Sequence, residues 1–192
     1  MLNLDTIPFL AENKTSMKEA SLDFETKTYM TDSELEVINF DLVKRSYTNN
    51  LQLSENVVTS VDCIMCWRDH IIFIEFKNGK VNNRNVKDKA RDSLMIFLDL
   101  INKNLSFSRK NIELMIVYNI EKNPLPNQVK KGKMQESPSR IDIGGYFMSK
   151  AGGELIRFDL ERYKKIYFKN VRTYSKETFE SFLCTIQSNF NN

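Results

Sequence analysis

Three charged residues stand out by type and spacing: Asp62, Glu75 and Lys77. Glu75 interrupts Ile71-Ile72-Phe73-Ile74-Glu75-Phe76, a run otherwise apolar and largely β-branched. A carboxylate in a run fit for a sheet interior is costly unless it has a partner. Side chains alternate along a strand, so Glu75 and Lys77 share one face and Phe76 takes the other. If Asp69-His70 is the two-residue loop of a hairpin, Arg68 pairs with Ile71, Ile64 lies opposite Glu75, and Asp62 lies opposite Lys77. Directly opposed residues point to the same side, so Asp62, Glu75 and Lys77 converge; a slip of one residue separates them. Two carboxylates and a lysine at a sheet edge suit phosphodiester hydrolysis. Asp62 and Glu75 offer hard oxygen ligands for Mg²⁺ or Mn²⁺, and the backbone carbonyl of Phe76 offers a third. A metal held there lowers the pKa of a bound water and stabilises charge on the phosphate. Lys77 would orient that water or stabilise the developing charge. The plain alternative is a solvated Glu75–Lys77 pair on an exposed strand face, with Asp62 as a strand-entry residue.

The pattern resembles the PD-(D/E)xK nuclease superfamily. The resemblance is carried by Val61-Asp62 and Glu75-Phe76-Lys77, with twelve residues between Asp62 and Glu75; valine stands where the family pattern has proline. It implies an α/β fold, a restriction-endonuclease-like αβββαβ core with a mixed central sheet, and a metal-dependent nuclease with Asp62, Glu75 and Lys77 as catalytic residues. It also implies a further acidic residue on the first helix, for which Glu34, Glu36 and Asp41 are candidates. The helix after Glu75-Phe76-Lys77 would border the site, which makes Lys87, Lys89 and Arg91 candidates for phosphate contact. A solvated helix face is the competing reading for each.

The positioning elements can be read in chain order. Leu22–Tyr29 alternates enough for a short strand. Thr31-Asp32-Ser33-Glu34 fits a capping box, and Leu35, Ile38, Leu42 and Val43 continue as a helical stripe to about Tyr47. Val57-Val58 reads as a short strand before the hairpin, which Asn78-Gly79 closes. Val86, Ala90, Leu94, Phe97 and Ile101 mark an amphipathic helix, and Ile112–Tyr118 a buried strand. A helix between two strands permits parallel pairing. Glu121–Arg140 carries Pro124, Pro126, Pro138, Lys130, Lys131 and Lys133 and is too long for a simple connector. Gly144-Gly145 and Gly152-Gly153 flank a segment that reads as a short helix. Leu155–Tyr174 looks strand-like, and its cations Lys164, Lys165, Lys169 and Arg172 alternate with Tyr163, Tyr167, Phe168 and Tyr174. Aromatics among cations suit stacking on bases beside phosphate contacts; a sheet with its polar face in water is the alternative. Ser175 can cap a last helix carrying Phe179, Phe182, Leu183 and Ile186.

One domain over residues 1–192 is expected, with a core at about 31–120, a loop insertion at about 121–153 and a C-terminal strand-helix extension at about 154–192. The 41% hydrophobic fraction supports a core, and the net charge of +3 permits nucleic acid as a partner without demanding it. The start Met-Leu-Asn-Leu-Asp lacks a basic and apolar leader, and no run reaches membrane length, so a cytoplasmic protein without a membrane partner is expected. Cys63 and Cys66 sit three apart and face opposite ways on a strand, which argues against zinc or redox use. His70 is the only histidine, which excludes His-rich metal sites and most schemes with a histidine base. The expected function is a Mg²⁺- or Mn²⁺-dependent nuclease acting on nucleic acid, DNA ahead of RNA, in restriction, phage defence, a mobile element or repair. The alternatives are an inactive interaction protein on the same fold (inhibitor, immunity protein or regulator) and a metal-independent nucleic-acid binder. A homodimer or a protein partner is left open.

Overall fold

The computed structural model describes residues 4–67, 70–125 and 155–190, with side chains as far as residue 186. Its organising strands are β6 (His70–Lys77) and β7 (Ile112–Tyr118), paired in parallel from Ile71↔Ile112 to Lys77↔Tyr118. Both are buried on two faces, which is why they read as continuous apolar runs. Ile71, Phe73, Leu114 and Ile116 face one core; Ile72, Ile74, Met115 and Val117 face the other.

Six strands form one mixed sheet in the order β1 (Lys14–Ser16), β4 (Glu36–Asn39), β5 (Cys63–Trp67), β6, β7 and β8 (Asn170–Ser175). The first three neighbouring pairs are antiparallel, and the last two are parallel. Two short strands, β2 (Leu22–Asp23) and β3 (Thr28–Tyr29), form a separate hairpin. The helices are α1 (Pro8–Ala11), α2 (Met17–Ala20), α3 (Phe40–Asn50), α4 (Asn83–Leu100), α5 (Leu105–Asn111) and α6 (Lys176–Phe190). Helices α3 and α4 cover one sheet face. There Phe40, Phe73, Phe97 and Phe168 meet with ring centroids 5.3–6.5 Å apart, and each such pair adds about 0.5–1.5 kcal/mol beyond its area burial. Helix α6 covers the other face through Phe179, Leu183 and Ile186. The result is an α/β architecture whose C-terminal strand belongs to the central sheet.

Helix α4 follows from its sequence. Asn82 Oδ1 accepts from the N–H groups of Arg84 and Asn85 at 3.0 and 3.2 Å, and Val86, Ala90, Leu94 and Phe97 are buried at helical spacing. The final helix also lies where expected, with Ser175 Oγ accepting from the Thr178 N–H at 3.3 Å.

Five expectations need correction. The one short strand expected over Leu22–Tyr29 is instead the hairpin of two-residue strands β2 and β3. The loop of the β5–β6 hairpin is not Asp69-His70: Trp67 pairs with His70, leaving residues 68 and 69, outside the described residues, between the paired ends. The helix expected from about residue 31 starts only at Phe40, because Val37 and Ile38 are buried on opposite sides in β4, a period of two. Ser33 closes a local turn, and the cap is Asn39, whose Oδ1 accepts from the Leu42 N–H at 3.1 Å. Val57 ends a 3₁₀ turn rather than opening a strand. The strand expected over 155–174 begins at Asn170, after a 3₁₀ turn at Glu161–Tyr163. Most of the expected insertion, with Lys130, Lys131, Lys133 and the glycine pairs, lies outside the described residues. Among the described residues, no helix is long and apolar enough to cross a membrane.

Candidate active site

The corrected register moves the hairpin pairing by one residue on each strand, which preserves the faces. Cys63 pairs with Ile74 and Ile64 with Phe73, so Asp62 falls beside Glu75 rather than Lys77. Asp62 sits just before β5, where its side chain takes over from the strand ladder: Oδ2 accepts from the Phe76 N–H at 2.6 Å. The approach to Asp62 is clamped by two helices. Thr59 donates its N–H and hydroxyl to Asp92 Oδ2 of α4 at 2.8 and 3.0 Å, and the Val61 N–H donates to Ser93 Oγ at 2.8 Å. The Ser60 hydroxyl donates to Asp41 in the first turn of α3, and the Phe40 N–H donates to the Asp62 carbonyl at 3.0 Å.

Glu75 is fully buried, which overturns the reading of a solvated strand-face pair. Its Oε1 lies 2.7 Å from Lys77 Nζ and 2.8 Å from Lys89 Nζ. Neither approach to Oε1 has hydrogen-bond angles, so those contacts are ionic; Oε2 accepts from Lys89 at 3.0 Å. Lys89 also lies 3.3 Å from Asp62 Oδ1. One ammonium therefore sits between two carboxylates, Glu75 on β6 and Asp62 just before β5.

Of the three helix cations singled out by sequence, Lys89 alone reaches the carboxylates. Lys87 lies 3.6 Å from Asp159, and Arg91 pairs with Asp88 within α4. Of the acidic candidates, Asp41 neighbours Asp62, whereas Glu36 is on β4, 2.9 Å from Lys14, and Glu34 precedes that strand. The C-terminal cations are not brought to the carboxylates. Lys169 precedes β8 and meets the His70 ring at 3.2 Å, at the opposite end of β6 from Lys77. Arg172 pairs in register with Met115 and lies 3.4 Å from Glu113, on the sheet face away from Glu75. Lys164 and Lys165 belong to a turn tied to α5 through Ser108 and the Tyr167 carbonyl. Replacing Lys164, Lys165 and Lys169 together with alanine should leave nucleic-acid affinity and its salt slope unchanged in anisotropy titrations; a flatter slope would put the substrate path across that end.

Electrostatics follow from this crowding. Burial and the neighbouring Glu75 push the Asp62 carboxyl up to about 7, against the opposing pull of Lys89 and the Phe76 N–H; Asp41 raises it further. For Lys89, burial works against the charge, but Asp62 and Glu75 outweigh it and hold the pKa above the usual lysine range. A folded-state carboxyl pKa above its unfolded value makes the native state the tighter proton binder between the two. Stability in EDTA should therefore fall as pH rises from about 4 through 7. Denaturant melts of wild type and Asp62→Asn across that range test this: the fall should be smaller in the variant, where the lowered carboxyls of Asp23 and Glu177 remain.

Cys63 is buried and Cys66 exposed; burial raises the Cys63 thiol, and neighbouring protein atoms that partly desolvate the Cys66 sulfur raise it as well. Neither favours a reactive thiolate at neutral pH.

Asp62 and Lys77 line a cavity of about 340 Å³ at the end of β6, together with Phe76, Asn78, Gly79, Lys122 and the β2–β3 hairpin. No protein-family model matches the chain, and neither a curated protein nor a solved structure is significantly similar to it.

Proposed function

We propose that the chain is a divalent-metal-dependent nuclease of the PD-(D/E)xK kind, hydrolysing phosphodiester bonds in nucleic acid. The observation that carries this reading is the convergence of Asp62, Glu75 and Lys77 on one sheet face at one strand end, beside a cavity. The core supports it from β5 onward: hairpin, helix α4, then a parallel strand. The first long helix departs from the family order, since α3 follows β4 instead of preceding the three antiparallel strands.

The residues fit a divalent cation on one geometric ground. Lys89 Nζ stands 3.3 Å from an oxygen of Asp62 and 2.8 Å from an oxygen of Glu75, so the two carboxylates converge closely enough to share a single positive charge. No group of three or more His, Cys, Asp or Glu side chains is arranged for a metal among the described residues. Asp62 and Glu75 would hold the ion, with the Phe76 carbonyl and water completing the shell of a Mg²⁺ or Mn²⁺. Such an ion supplies Lewis acidity and an acidified water. Lys77, 22% exposed and lining the cavity, is the chain's own group for orienting the attacking water or stabilising charge on the phosphate. Glu75 fixes Lys77 in that place, and the Phe76 N–H fixes Asp62.

The same ammonium favours a second reading. With Lys77 and Lys89 both on Glu75, the carboxylates are already neutralised, as suits an inactive interaction protein on this fold. Purified protein with Mg²⁺ or Mn²⁺ against duplex DNA, single-stranded DNA and RNA separates the two, with Asp62→Ala excluding contaminants. Cleavage lost in that variant supports the nuclease. Absence of both cleavage and a metal-induced rise in melting temperature favours the interaction protein, and salt-sensitive binding without cleavage favours a metal-independent binder.

A further inference from the structure

The cavity beside Asp62 has two chemically different walls. One is the end of β6 with Lys77, followed by Asn78 and Gly79, and Lys122 beyond β7; the other is the β2–β3 hairpin with Asp23, Phe24, Glu25 and Thr26. The hairpin is bolted in place. Asp23 accepts from the Glu25 N–H at 3.0 Å and from the Thr26 hydroxyl at 2.9 Å. Asn78, the residue after Lys77, donates through Nδ2 to Asp23 Oδ2 and to Thr26 Oγ1, both at 3.0 Å. Asn78 Oδ1 in turn accepts from Asn119 Nδ2 at 3.1 Å, and the Asn119 N–H donates to the Lys77 carbonyl at 2.9 Å. The loop of the hairpin is thus held at a set place relative to Lys77 by side chains, not by the sheet.

Into this cavity the hairpin presents Phe24, which is 73% exposed. It is a large apolar ring left in water at the rim of the candidate active site. The charges give the cavity a direction: on the strand-end wall Lys77 and Lys122 outnumber the one carboxylate, Asp62, whereas the hairpin wall carries Asp23, Glu25 and an aromatic ring. A phosphate is drawn to Lys77 and Lys122 and repelled from Asp23 and Glu25, so the other end of a nucleotide, its base, falls toward Phe24. The volume of about 340 Å³ is at the small end of ligand pockets, which run from ~300 to ~1,000 Å³. It has room for one nucleotide and not for a duplex. Bases in a duplex are stacked on one another and offer no free face; an exposed ring gains a partner only from an unpaired base.

We propose that the site takes single-stranded nucleic acid, with an unpaired base next to the scissile phosphate stacked on Phe24 of the β2–β3 hairpin. That the bound phosphate is the scissile one rests on the nuclease reading; the binding itself does not.

The test is fluorescence anisotropy in EDTA, where cleavage does not compete, with labelled oligo(dT), oligo(U) and a duplex of matched length. Single strands should bind more tightly than the duplex. Phe24→Ala should weaken single-strand binding by about 5- to 150-fold, the range for losing one base–aromatic stack, and leave duplex binding unchanged. Phe24→Trp should keep the affinity, and its added fluorescence should be quenched by oligo(dT). The exposed position makes both variants safe for folding, which melts would check. Wild-type affinity in Phe24→Ala, a preference for duplex, or no binding of any oligonucleotide overturns the proposal. The outcomes separate it from the nuclease reading. Cleavage of duplex that ignores Phe24→Ala sinks the proposal and leaves the nuclease, whereas Phe24-dependent single-strand binding without metal-dependent cleavage upholds the proposal and sinks the nuclease.

Discussion

Asp62→Ala and Glu75→Ala should each abolish Mg²⁺- or Mn²⁺-dependent cleavage, with losses of about 10³-fold or more in single-turnover rates. The size follows from what each removes. Removing even one preorganised donor from a reacting centre costs about 10²–10³, and each carboxylate here would be half of the cation's anionic ligand set. Lys77→Met should fall by about 10²–10³ for a different reason. Its ammonium is 2.7 Å from Glu75 and lines the cavity, so water orientation and charge stabilisation go while both carboxylates remain. Mn²⁺ binding followed by electron paramagnetic resonance separates the two classes: lost in the carboxylate variants, kept in Lys77→Met. Cleavage within tenfold of wild type in Asp62→Ala would mean that these residues are not the catalytic set.

The parts of this arrangement that were legible in the sequence are those where a strong apolar pattern leaves little choice. β6, β7 and α4 are of that kind, and so is the odd carboxylate Glu75 within β6. The hairpin register was harder, because nothing between Trp67 and Ile71 supplies the Asn-Gly or Asp-Gly chemistry that pins a two-residue turn. The faces survived because the shift was one residue on each strand, which conserves parity. At Leu35–Leu42 the apolar positions fit a helical period as well as a strand followed by a helix, and the buried pair Val37-Ile38 decides for the strand. That misplacement left Asp41 undistinguished from Glu34 and Glu36, because its place beside Asp62 depends on being in the first turn of a helix that begins at Phe40. Lys89 was a candidate together with Lys87 and Arg91, and helical spacing does not choose between the two lysines: Lys87 and Lys89 flank the buried stripe Val86, Ala90, Ser93, Leu94, Phe97 on opposite sides. The choice is made by which flank faces Asp62 and Glu75, a fact of the sheet packing. The β2–β3 hairpin could not be read: each strand has two residues, and its attachment is made by polar side chains fifty or more positions away.

Lys89→Met should make the metal-free protein less stable and the site more receptive to divalent cations. Methionine keeps most of the apolar stem and removes the charge. In EDTA, Glu75 keeps Lys77, but Asp62 loses the ammonium that opposes its raised pKa. Breaking a buried ion pair from one side costs about 3–5 kcal/mol; with Lys77 remaining, a loss of about 3 kcal/mol is expected in denaturant melts at pH 8. Adding Mn²⁺ should reverse the order. In wild type the ion must displace an ammonium that already sits between Asp62 and Glu75, whereas in Lys89→Met the two carboxylates are left with less positive charge between them. The variant should bind Mn²⁺ more tightly and gain more melting temperature from it than wild type, by linkage. Asp62→Asn/Lys89→Met should be closer to wild type in EDTA than Lys89→Met alone, because removing the negative charge relieves what removing the positive charge exposed. If Lys89→Met is merely unstable and neither protein responds to Mn²⁺, the ammonium is a structural counter-ion, and the pair of carboxylates belongs to a charge network without metal chemistry.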